Sequence, residues 1–160
     1  MKQKELTLRL RECSETDLTP EQRSLVEAAK AMTANAYCPY SHFQVGAAAR
    51  LADGTVVRGS NQENAAYPSG ICAERTVLFA ANANYPDCAV EALAIACFTD
   101  GHFTVEPGSP CGACRQVMVE TEHRFGRPME VILYGVNKIY IFDRAADLLP
   151  LVFVKENLQG

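Results

Sequence analysis

Cys111 and Cys114 stand in Pro110-Cys111-Gly112-Ala113-Cys114, two thiols three residues apart where the pattern predicts the start of a helix. Two thiolates at that spacing can share one tetrahedral metal, and zinc is the usual occupant of such sites. Redox chemistry and plain core thiols are the alternatives. A thioredoxin-like pair would follow a strand directly, and Gly108-Ser109-Pro110 intervenes here. Cys72 is the best candidate for a third ligand, because it too precedes a predicted helix. Two helix N-termini converging on one metal would favour the thiolate form of its ligands. Three protein ligands leave the fourth position for a reactant, whereas a structural site is normally closed by a fourth Cys or His. Cys38, His42, Cys88, Cys97, His102 and His123 could each be proposed as that fourth ligand, and none lies at typical spacing to the pair.

Glu74 gives the cage its chemical direction. It follows Cys72 by two residues and is not a natural tetrahedral ligand. A carboxylate beside a metal can take a proton from activated water and pass it to a substrate. A non-ligand Glu just after the first ligand, followed later by P-C-x-x-C, is the element pair of zinc deaminases. Three thiolates also weaken the pull of the metal on water, so negative charge must be withdrawn from the cage. The helix N-termini do part of this. Arg75 could donate to the sulfurs, with Arg115 as a second candidate.

The elements that must position these groups follow from periodicity and punctuation. Thr19-Pro20-Glu21-Gln22 predicts a helix start with a capping box. Leu25, Ala28, Ala29, Met32 and Ala36 then make a buried stripe, and Cys38-Pro39-Tyr40-Ser41 ends the helix. Strands are expected at 44–51 and 55–60 around an Asp53-Gly54 turn, at 93–98, and at 131–134 and 139–142. Helices are expected at 73–84, at about 112–125 with Ala113, Val117, Met118, Thr121 and Phe125 on one side, and briefly at 143–149. The sum is an α/β domain with helices covering a mixed sheet of five strands.

Bulk composition bounds the partners. The chain has 160 residues, enough for one domain, with 48% hydrophobic and 21% charged residues. Its formal net charge of −4 lacks the basic footprint needed to grip long nucleic acids. No signal peptide or membrane span is expected. Seven cysteines without an export signal argue for reduced thiols or metal ligands, and for a cytoplasmic protein.

Five pieces in order carry a resemblance: 37–43 (Tyr-Cys-Pro-Tyr-Ser-His-Phe), 45–48 (Val-Gly-Ala-Ala), 61–65 (Asn-Gln-Glu-Asn-Ala), 72–76 (Cys-Ala-Glu-Arg-Thr) and 109–116 (Ser-Pro-Cys-Gly-Ala-Cys-Arg-Gln). From about Thr19 to Leu158 the sequence resembles the cytidine deaminase family, specifically its small zinc-dependent free-nucleoside enzymes. The resemblance implies a three-layer α/β/α fold with a five-stranded mixed sheet, a catalytic domain over 19–160 and an N-terminal extension over 1–18. It implies hydrolytic deamination of cytidine and 2′-deoxycytidine to the uridines with release of ammonia, in pyrimidine salvage, by a homotetramer with one zinc ion per subunit. Cys72, Cys111 and Cys114 match the ligands and Glu74 the proton shuttle. Asn61 and Glu63 match the residues that hold the ribose 3′-hydroxyl, although by themselves they would pass for loop caps. Phe43 matches an aromatic that packs on the pyrimidine, and the backbone at Ala73 matches a contact to the base edge. Tyr67 and Phe153 match positions in contacts between subunits near the active site. Departures from the family pattern are Gln44 in place of a frequent proline, a longer 122–130 stretch, and a tail over 148–155 without the usual small residues. Two alternatives remain open: a same-fold deaminase of another aminated nucleoside or nucleoside antibiotic, and a non-catalytic zinc-binding protein. Glu74 argues against the second.

Overall fold

In the computed structural model, which describes residues 1–158, the central strand is β4 (Val90–Thr99). Gln159 and Gly160, the end of the expected catalytic domain, lie outside the described residues. Successive side chains of β4 point to opposite faces, and both faces are covered. Ala92, Ala94 and Ala96 meet Leu25, Val26 and Ala29 of α1 (Pro20–Met32). Leu93 and Ile95 meet Val77, Leu78 and Ala81 of α2 (Ala73–Asn84) and Met118 of α3 (Gly112–Phe125). The alanines on one side let α1 approach closely, while larger residues fill the space under α2 and α3.

Beside β4 runs β2 (Gln44–Leu51), antiparallel, hairpinned to β3 (Val56–Ser60). On its other side β6 (Glu130–Tyr134) is parallel to β4 and antiparallel to β7 (Ile139–Phe142). The three-layer arrangement with a mixed sheet is as expected, but among the described residues the sheet has seven strands rather than five. β1 (Arg11–Cys13) pairs with the β7 edge, and β5 (His102–Phe103) folds back on the end of β4. Strands of three and two residues are too short to show a two-residue alternation. They form because an edge and a turn at Asp100-Gly101, both with positive φ, place them there.

The expected N-terminal extension is therefore partly woven into the fold. Arg11 bonds Glu130 at 3.1 Å and Asp143 at 2.6 Å, and Leu18 joins the core under α1. The capping box forms as expected, with Gln22 N–H donating to Thr19 Oγ1 at 3.2 Å and Thr19 N–H to Gln22 Oε1 at 3.1 Å. α1 stops at Met32, earlier than the Cys38-Pro39 signal. The Thr33 hydroxyl turns back to Lys30 O at 2.8 Å, and one 3-10 turn (Thr33–Asn35) leads out. On α3 the buried side is Cys114, Met118, Val119, Thr121 and Glu122, whereas Ala113 is exposed. The expected stripe is thus rotated by about one residue, because the Cys114 sulfur turns inward. The short helix expected at 143–149 is a 3-10 turn, Ala145–Leu148, and a second such turn follows at Lys155–Leu158. The buried Glu122 carboxylate fastens the first, accepting from Ala145 N–H at 2.7 Å, Ala146 N–H at 3.1 Å and Met129 N–H at 2.8 Å.

Gly46 sets how closely β2 can lie against α1. A Cβ there would stand 2.0 Å from Ala29 O and 2.7 Å from Thr33 N, both backbone atoms that cannot step aside. Gly46→Ala is expected to cost about 2–3 kcal/mol, read as a lower urea midpoint. An unchanged midpoint would contradict this packing. Among the described residues no helix is long and apolar enough to cross a bilayer.

Candidate active site

Both helices on the α2/α3 side begin at a cysteine. Cys72 is the N-cap of α2 and Cys111 the N-cap of α3, each in extended backbone. Thr76 N–H donates to Cys72 O and Arg115 N–H to Cys111 O, both at 3.0 Å, so each sulfur-bearing residue is locked to the first turn it starts. Cys114, one turn into α3, is fully buried. The Cys72 and Cys111 sulfurs are 3.9 Å apart and those of Cys111 and Cys114 3.4 Å. All three lie within 4.8 Å of one another, and no fourth His, Cys, Asp or Glu of the described residues belongs to the cluster. Tetrahedral zinc with bonds of about 2.3 Å to sulfur needs sulfurs about 3.8 Å apart, so this donor set fits the metal.

Arg75 lies alongside the cage and Nη2 donates to Cys72 Sγ at 3.6 Å. The Cys72 thiol is drawn down to about 5, chiefly by the Cys114 thiol beside it, with Arg75 and Cys111 adding to the effect against the cost of burial. Cys114, deeper and next to Cys72, is pushed up instead. The guanidinium of Arg75 thus stands where it favours the thiolate form of Cys72. Arg115, the second candidate for the sulfurs, turns away from them. Its Nε donates to Pro110 O at 2.8 Å and its Nη1 to Leu148 O at 2.9 Å.

Glu74 is only 5% exposed, and burial raises its pKa above the ordinary carboxylate value. It opens on a cavity of about 900 Å³ that Cys72, Arg75 and Cys111 also line. Phe43, Asn61, Glu63 and Tyr67 line the same cavity, so the structure brings most of the expected site residues together. Ala73 is different: its side chain belongs to the core, and only its place between Cys72 and Glu74 puts its backbone near the cavity. Phe153 is 58% exposed, with its carbonyl held by Gln116 Nε2 at 2.8 Å.

Asn61 and Glu63 hold the loops of the cavity wall. Asn61 donates to Phe43 O at 2.9 Å and accepts from Val45 N–H at 2.8 Å. Glu63 Oε2 accepts from Tyr40 N–H at 2.9 Å and Ser41 N–H at 3.2 Å, and hydrogen bonding from Ser41 and then Tyr40 holds its pKa below the usual range. These bonds occupy one N–H of the Asn61 amide and one oxygen of Glu63, leaving a donor and an acceptor for a ligand.

Cys97, weighed from the sequence only as a fourth ligand, stands outside the cage but lines the cavity. Burial, with the Glu74 charge adding to it, pushes this thiol up to about 12. Its signal was available, since β4 residues 93, 95 and 97 share a face. Gly108 approaches it so closely that a Cβ would lie 2.4 Å from the sulfur.

Three sulfurs at two helix starts, with a buried carboxylate opening on the same cavity, make the donor set of a metal centre that keeps one position for a reactant. Residues 19–125 match the family described as the cytidine and deoxycytidylate deaminase zinc-binding region. A cytidine deaminase of Sporosarcina psychrophila is 41% identical over 134 residues, 84% of this chain and 92% of that protein. One from Halalkalibacterium halodurans is 48% identical over 100 residues, 62% of this chain and 71% of that protein. The crystal structure of cytidine deaminase from Burkholderia pseudomallei superposes with a TM-score of 0.69 at 43% identity, covering 85% of this chain and 100% of that one. The chain belongs to the cytidine and deoxycytidylate deaminase family.

Proposed function

We propose that the protein hydrolyses cytidine and 2′-deoxycytidine to uridine and 2′-deoxyuridine, releasing ammonia, in pyrimidine salvage. The observation that carries this reading is Glu74, a buried carboxylate two residues from one cage sulfur and facing the same cavity as the cage. Cys72, Cys111 and Cys114 would hold one zinc ion per subunit, which would supply Lewis-acid activation of water. Glu74 takes a proton from the attacking water and delivers it to N3 of the ring. The water oxygen bonds to C4, Glu74 then carries the proton of the new C4 hydroxyl to the exocyclic amino group, and the bond from C4 to that nitrogen breaks to release ammonia. A carboxylate whose pKa burial raises suits both steps. Arg75 draws charge from the Cys72 sulfur and so keeps the site electrophilic.

Phe43 packs on the pyrimidine, the Ala73 backbone meets the base edge, and the unused donor of Asn61 and acceptor of Glu63 bind the ribose 3′-hydroxyl. Among the described residues Arg75 is the one cation lining the cavity, and it is engaged with Cys72. Nothing there balances a 5′-phosphate, which favours the free nucleoside over nucleotides or nucleic acid. The catalytic domain spans 19–160 with 1–18 as an extension, and four copies assemble, with Tyr67 and Phe153 at contacts near the sites. The protein works in the cytoplasm.

A side-by-side assay of cytidine, 2′-deoxycytidine and free cytosine tests the substrate. Both nucleosides are expected to turn over and free cytosine to lag far behind. Glu63→Gln keeps an acceptor for the Tyr40 and Ser41 amides but loses the charge. It is expected to lower kcat/KM for cytidine about tenfold while leaving cytosine unaffected. Equal rates on cytosine and cytidine would rule out ribose recognition.

A further inference from the structure

We infer that Arg115 is a positioning residue for the metal cage, clamping the loop that carries Cys111 to the C-terminal segment of the chain. The inference rests on the zinc reading above. The clamp has three points, one a backbone bond that any residue at this position would make and two made by the arginine side chain. The backbone N–H of Arg115 holds Cys111 O at 3.0 Å, its Nε holds Pro110 O at 2.8 Å, and its Nη1 holds Leu148 O at 2.9 Å. Consecutive carbonyls on the approach to Cys111 are thus fixed by one residue, directly after the Cys114 ligand. Cys111 needs such support. It is the exposed member of the cage, whereas Cys114 is buried, and Gly108-Ser109-Pro110 before it lies outside any helix or strand.

The third point connects the cage to the tail. Leu148 closes the 3-10 turn Ala145–Leu148, whose start Glu122 already holds from the same helix. Every one of these bonds goes to tail backbone, so the tail is held whatever its side chains. A guanidinium is suited to the task, because its planar fork serves two carbonyls in fixed directions and an ammonium does not.

The experiment is the rate of zinc release from purified protein to a chromogenic chelator, with urea midpoints measured in parallel. The set is wild type, Arg115→Ala, Arg115→Lys and Gln116→Ala, the last of which frees Phe153 O but leaves the clamp alone. Arg115→Ala is expected to release zinc about ten- to a hundredfold faster, the range typical of residues that orient metal ligands. Arg115→Lys should fall between it and wild type, and Gln116→Ala should match wild type. Should Arg115→Ala fail to fold, the comparison of Arg115→Lys with Gln116→Ala decides. A purely structural role would lower the urea midpoint without changing release, and that result would overturn the inference. Equal acceleration in Gln116→Ala would overturn it as well, since loosening of the tail in general would then suffice. A wild type that binds no zinc would instead remove the reading on which the clamp depends.

Discussion

Replacing Glu74 with glutamine is expected to leave a folded, zinc-bearing protein that deaminates cytidine about 10⁴-fold more slowly. The side chain is nearly isosteric and sits 5% exposed in a wall of the cavity, so little packing is lost. Its charge is disfavoured there by burial, so a neutral amide costs the fold nothing. The missing capacity is proton transfer. An amide can neither accept the proton of the attacking water nor return one to N3 and to the departing amine. Both half-steps fail together, which places the effect at the upper end of the range for general acid–base catalysis. Steady-state kinetics beside metal analysis check it. A rate within tenfold of wild type at full zinc occupancy would assign the proton transfers elsewhere.

Cys114→Ala is expected to abolish zinc binding and activity together and to cost several kcal/mol of stability, on the order set by metal–folding linkage. Cys114 is fully buried among the core residues of α2, α3 and the sheet, and it supplies one of the three sulfurs that cluster among the described residues. Two remaining thiols would hold the metal weakly, and the folded state would lose the free energy of binding. Cys97→Ala is the informative contrast. That thiol is also buried and lines the same cavity, yet it stands outside the cage. Its zinc content should equal that of wild type. Metal analysis and thermal melts with and without chelator separate the two variants, and zinc retained in Cys114→Ala would show that the cage is drawn wrongly.

The chemistry was legible in the sequence wherever it is local. Cys72 and Glu74 flank one helix start and Cys111 and Cys114 another, so each half of the centre is visible in a few residues. Their convergence depends on how α2 and α3 pack against the sheet, and only the shared motif order anticipated it. Most element boundaries followed from punctuation, as at the Thr19 capping box and the Gly54 turn with φ of 87°. Features set by tertiary context stayed hidden. β1 and β5 exist because of an edge and a turn, not because of their own pattern. Glu122 looks like an ordinary charged helix residue, and its three backbone partners come from segments up to 24 residues away. The backbone bonds of Asn61 and Glu63 bridge 16 to 23 residues, so their double service as wall supports and candidate ligands could not be seen beforehand. Arg115, only the second candidate for the sulfurs in the sequence, neighbours Cys114 there, but side-chain direction at a helix start is decided by what it packs against.

The most direct measurement is the stoichiometry of zinc, ammonia and uridine on purified protein supplied with cytidine. A buried Glu74 beside a three-sulfur cage predicts one zinc per chain and one ammonia released for each uridine formed. Turnover should disappear when a chelator removes the metal and return when zinc is restored. Protein carrying its full zinc that converts no cytidine, or cytidine turnover unaffected by complete removal of the metal, would contradict it.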